Sequence, residues 1–73
     1  MRYFFHVRTK RGLIQDAEGT PIADRAGVAS EAAAIAIELA REFATSEEDD
    51  RPRRIEVWDA GGLPVHEELV AIL

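Results

Sequence analysis

Arg2-Tyr3-Phe4-Phe5-His6-Val7-Arg8 is the stretch on which the reading of this chain turns. Aromatic and β-branched side chains dominate it and an arginine closes each end, the composition of a strand rather than a helix. Strand side chains alternate, so Tyr3, Phe5 and Val7 point one way and Phe4 and His6 the other. Thr9-Lys10-Arg11-Gly12 then supplies a loop and Leu13 to Asp16 a short second strand, so the chain opens with a hairpin. Asp16-Ala17-Glu18-Gly19 and Thr20-Pro21 carry turn chemistry, and there the chain is expected to leave the sheet.

The second half repeats the logic. Arg53 to Asp59 reads as a third strand, with Ile55 and Val57 alternating against Glu56 and Trp58; Asp59-Ala60-Gly61-Gly62 is a hairpin turn and Val65 to Val70 a fourth strand. Between the hairpins lies a helix running to about Ala44, capped by Asp24 or by Ser30 with Glu31, with Gly27 weakening its first turn. Thr45 to Asp50 is a polar connector ending before Pro52. The expected architecture is α+β: a two-layer ββαββ sandwich, one domain over residues 1–73, with a four-stranded antiparallel sheet in the order 2-1-3-4 and one long helix on one face.

Composition narrows the function. A chain of 73 residues with 47% hydrophobic and 32% charged residues supports one small core, and the absence of cysteine removes disulfides, thiolate zinc sites and cysteine nucleophiles together. The longest apolar run, Ala32 to Ile37, is far shorter than the ~20 residues of a membrane span, and Met1 to Lys10 lacks the features of a signal peptide, so a cytoplasmic protein without membrane partners is expected. Fourteen acidic against nine basic residues, net −5, argues against nucleic acid as the main partner.

Two surfaces are left over. On a helical projection Val28, Ala32, Ile35, Leu39 and Phe43 form a bulky stripe for the sheet, while Ala29, Ala33, Ala36, Ala40, Ala44 and Ile37 widen the apolar arc to about 200°, roughly twice what a sheet-packed helix needs. On the sheet, Tyr3, Phe5, Val7, Ile55 and Val57 should meet the helix, leaving Phe4, His6, Glu56 and Trp58 on the far face, where an aromatic patch invites a second chain or a ligand. Phe4, His6, Trp58, Ala36, Ala40 and Ile37 are accordingly the candidate interface residues.

Catalytic chemistry finds little support. His6 and His66, with Glu56 or Glu68, could converge on a shared face, but in no recognised ligand spacing. Ser30 and Ser46 lack a nucleophile turn, Asp16, Glu18 and Gly19 fall short of a calcium loop, and Gly61-Gly62 precedes a strand rather than a helix. No catalytic residue, metal or cofactor is assigned. Antiparallel pairing of the first and third strands would crowd Arg8, Lys10, Arg11, Arg51, Arg53 and Arg54 on one rim, beside the acidic run Glu47 to Asp50. Of these, Arg8, Lys10, Arg11, Arg53 and Arg54 are the candidate anion-binding set.

The opening Arg2 to Arg8 run, Gly12-Leu13-Ile14, Asp16-Ala17-Glu18-Gly19, Asp24, the alanine-rich helix and Ile55-Glu56-Val57-Trp58-Asp59 together resemble a family of short bacterial proteins catalogued only as a domain of unknown function. The resemblance spans nearly the whole chain and implies no activity, cofactor or site residue. A looser likeness is to small ββα antitoxin domains, whose glycine-rich turn and DNA-binding segment are absent from this sequence. By elimination the expectation is a non-enzymatic protein-interaction module, a homodimer or the binder of another protein. The alternatives are an antitoxin-like partner protein and a binder of anions, phosphate-bearing ligands or nucleic acid at the basic rim.

Overall fold

A computed structural model describes residues 1–72. The aromatic opening run forms β1 (Arg2–Thr9), and its hairpin partner is β2 (Gly12–Ile14), with Val7 opposite Ile14. On its other side β1 pairs antiparallel with β4 (Arg54–Asp59), which sets Phe5 against Val57 and Val7 against Ile55. β5 (Pro64–Leu69) adds to the outer side of β4, so the order is β2-β1-β4-β5, the topology expected from two tight hairpins joined through their first strands.

The alternation of β1 and β4 is reflected in the burial. Tyr3, Phe5, Ile55 and Val57 form the core with Val28, Ala32 and Ala36 of α1 (Ala26–Glu42), and Ile22, Ile35, Leu39, Val65 and Val70 pack around it. The helix lies over β4 and β5. Arg25 rather than Asp24 stands at its N-cap position and makes no side-chain cap, but Asp24 just before it has one carboxylate oxygen that accepts the Gly27 N–H at 3.2 Å, satisfying one of the orphan donors of the first turn. Gly27 has a packing reason for its weak propensity, since a Cβ there would lie 2.9 Å from the Ile22 Cγ2 that crosses the helix start. A single 3₁₀ turn, Glu48–Asp50, interrupts the acidic connector to β4.

One expectation fails. The chain does not leave the sheet at Thr20-Pro21; these residues form a two-residue strand, β3, that rejoins β1 with Tyr3 opposite Thr20 and Arg2 opposite Pro21. β2 and β3 are thus two halves of one edge, and between them Gln15 to Gly19 face only Phe4 to His6 of β1. The surplus bulges out as a loop. Pro21 lacks an N–H, which an edge strand tolerates, and the pairing continues through the Ile22 N–H to the Met1 carbonyl at 2.8 Å.

Gly19 closes this loop at φ +73, and a Cβ on it would come within 2.8 Å of Arg2 Cγ, 2.9 Å of Phe4 Cε2 and 3.0 Å of the Tyr3 carbonyl oxygen. Both the left-handed backbone and the lack of space demand glycine. Gly19→Ala is therefore expected to cost about 1–3 kcal/mol of folding stability, read as a lower urea midpoint with an unchanged slope.

Candidate functional site

The loop from Gln15 to Gly19 is organised by one carboxylate. Asp16 Oδ2 accepts the Phe5 N–H at 3.1 Å, taking the place of the strand carbonyl that the bulge has moved away, while Oδ1 accepts the N–H groups of Glu18 and Gly19 at 3.3 and 3.1 Å. The Asp16 N–H in turn donates to His6 Nδ1 at 3.0 Å, which leaves the imidazole proton on Nε2. His6 is 6% exposed; the Trp58 ring stands edge-on to it at 4.5 Å and Phe4 lies parallel at 6.4 Å. Burial raises the Asp16 carboxyl, but the donors of Gly19, Phe5 and Glu18 outweigh it and, with the nearby His6, hold the carboxyl below its ordinary range.

The far face of the sheet is therefore partly covered by its own chain. Of the candidate residues there, His6 is buried and Phe4 and Trp58 are half-buried. Beyond them Glu56 sits between two arginines, Arg8 Nε and Arg54 Nε each 2.9 Å from its Oε2, and the Arg8 hydrogen bond leads the Arg54 one in holding the Glu56 carboxyl down against burial. Arg54 also reaches Glu67 at 3.6 Å. At the hairpin tip Arg11 meets Asp50 at 2.8 Å and Lys10 meets Asp49 at 3.6 Å. The basic rim forms where the strand pairing puts it, with Arg8 opposite Arg54, yet four of the five candidate cations are matched by carboxylates of this chain. Arg53 is exposed, and its backbone N–H donates to the Arg8 carbonyl.

His66 does not join His6. The hairpin register at Trp58 and Pro64, continued evenly, would place His66 opposite Glu56 on the far face; a bulge between Val57 and Trp58 shifts it opposite Val57, on the helix side. There His66 Nε2 lies 3.0 Å from Glu68 Oε1. The two histidines occupy opposite faces, so no cleft gathers them with a carboxylate.

On the helix side an open groove of about 550 Å³ runs between the alanine flank and the end of β5, lined by Ala33, Ala36, Ile37, Ala40, Leu69 and Ala71 with Arg41, Ala44 and Glu68 at its rim. Its members differ in exposure. Ala36 belongs to the core at 7% exposed rather than to the surface, because the helix must come close to the sheet over β4, while Ala40 is half-buried and Ile37 is 56% exposed. Leu69, 74% exposed, was not among the residues singled out by sequence; its place after Glu67 and Glu68 on an alternating edge strand was the available signal.

These features define a small α+β domain with an open five-stranded sheet, one face covered by a helix, and an apolar flank beside a free strand edge. A family model described as a domain of unknown function (DUF6894) matches residues 2–68, and the chain belongs to that family. No curated protein and no solved structure matches it significantly. Among the described residues no helix is long and apolar enough to cross a membrane.

The lowered Asp16 carboxyl has a definite sign for stability. Its folded value lies below the unfolded value of about 3.9, so its contribution is complete above that value and is lost as pH falls through the folded one. Asp16→Asn should lower the urea midpoint at pH 7, by about 1–3 kcal/mol in stability, and flatten the acid limb below pH 4 without abolishing it, because Glu56 titrates with the same sign.

Proposed function

We propose that this chain is a non-enzymatic protein-interaction module whose partner is a second copy of itself, joined through the alanine flank of α1 and the adjoining end of β5. The observation that carries this reading is the groove beside Ile37 and Leu69, which are 56% and 74% exposed in a chain with few large apolar side chains to spare. Small side chains at Ala33, Ala40 and Ala44 let a second backbone approach closely, and the bulky, exposed Ile37 borders that smooth strip as an anchor. A chain of 73 residues without disulfides gains proportionally more from such burial than a large domain does. The basic rim supports binding of an outside anion less well, because Glu56, Asp49 and Asp50 already answer most of its charge.

Light scattering on a sizing column at micromolar concentration is expected to return twice the chain mass of 8.1 kDa. Ile37→Glu puts a carboxylate on the exposed flank without touching the core; it should shift the mass to that of one chain while leaving the far-ultraviolet spectrum unchanged. A monomeric wild-type chain across that range overturns the reading.

A further inference from the structure

We infer that two copies join edge to edge along β5, antiparallel about a two-fold axis at Glu67, to make one continuous ten-stranded sheet. The inference rests on the self-association proposed above and specifies its geometry. Among the described residues β5 is the one full-length strand of the sheet with a free side: β1 and β4 are interior, and the opposite edge is the short, interrupted pair β2 and β3. The Val70 N–H donates to the Arg53 carbonyl at 3.0 Å, and antiparallel bonding alternates, so Glu68 and His66 turn their backbone groups to β4. Glu67 and Leu69 turn theirs outward, unpaired. Such an edge is a template for another strand unless something blocks it.

The side chains choose the register. An axis at His66 would set two imidazoles face to face and leave Glu68 opposite Pro64, whose side chain offers the carboxylate no partner. An axis at Glu68 would oppose two carboxylates across the closer, non-hydrogen-bonded type of pair, where like charges cost most. An axis at Glu67 places His66 of each copy opposite Glu68 of the other, twice, next to the His66 and Glu68 contact that each chain already makes at 3.0 Å. The two Glu67 side chains then meet on the far face across the wider pair, each within reach of its own Arg54 at 3.6 Å. This arrangement also brings the groove along α1 to the junction on the helix side and Leu69 to it on the far face, so that strand pairing and apolar burial occur at one interface.

The chain contains no cysteine, which makes a single introduced thiol an unambiguous probe. Across an axis at Glu67 the two Cα atoms of that residue stand about 5.5 Å apart, within disulfide range. With oxidised glutathione as the electron acceptor, Glu67→Cys is expected to form a covalent dimer at least tenfold faster than Glu68→Cys or the loop control Ala17→Cys. In the unmodified chain the Glu67 amide should exchange with deuterium at least tenfold more slowly than in Ile37→Glu, which reads the same strand pairing without any thiol. A wild-type dimer whose Glu67 amide exchanges freely, or in which Glu68→Cys crosslinks faster, overturns the edge geometry and leaves self-association standing. A wild-type monomer overturns both.

Discussion

The carboxylate of Asp16 holds together the interrupted edge of the sheet, bonding the Phe5, Glu18 and Gly19 amides at once. Two surplus residues stand between β2 and β3, and without a substitute acceptor the Phe5 N–H would be left unpaired in the middle of the sheet, a loss of about 1–3 kcal/mol. Asp16 Oδ2 supplies that acceptor, and Oδ1 ties the Glu18 and Gly19 amides so that the edge resumes at Thr20. The consequences run along the chain. Resumed pairing brings Ile22 onto Met1, Ile22 packs across Gly27, and Asp24 between them accepts the Gly27 N–H at the helix start. The residue that anchors this edge also, through its own N–H, fixes the tautomer of His6, while packing of Val28, Ala32 and Ala36 on the sheet holds α1 in place.

Local physics explains which parts of this were legible beforehand. The core faces of β1 and β4 follow from alternation within each strand, and the two hairpin pairings follow from the tight turns at Lys10-Arg11 and Asp59 to Gly62, both local properties, whereas the meeting of β1 with β4 is a long-range pairing that no turn dictates. The return of Thr20-Pro21 to the sheet was not legible, because the Asp-x-x-Gly turn chemistry is the same whether the chain departs or bulges. What distinguishes the two is a hydrogen bond to Phe5 from a residue eleven positions later. His66 was hidden for a related reason: a bulge of one residue in β5 reverses the face of everything beyond it, and nothing in Pro64-Val65-His66 announces which residue is extra.

The alanines show how one composition serves two ends. Ala32 and Ala36 are buried, 0% and 7% exposed, because their small size lets α1 descend onto Ile55 and Val57. Ala33, Ala40 and Ala44 lie one step round the helix, where the same small size leaves a groove instead. Projection on a helical wheel places both sets in a single apolar arc and gives no boundary between them; the boundary is set by the sheet, whose outermost strand, β5, stops beneath the flank. A wide apolar arc is therefore evidence of surplus only once the sheet's width is known.

Charge decides what kind of contact can use that surplus. Arg8 and Arg54 are spent on Glu56, Arg11 on Asp50 and Lys10 on Asp49, so these cations, the natural attractors of an anionic partner, are neutralised at short range. What remains is the net −5, screened beyond about a Debye length, some 8–10 Å at ordinary ionic strength, so two copies carrying it repel only at closer range. Any attraction between them must then be short-ranged: apolar area at Ile37 and Leu69, backbone groups at the β5 edge, and His66 set against Glu68. Contacts of this kind are sensitive to register and indifferent to long-range field, so the proposed pairing turns on the register of β5 rather than on the overall charge.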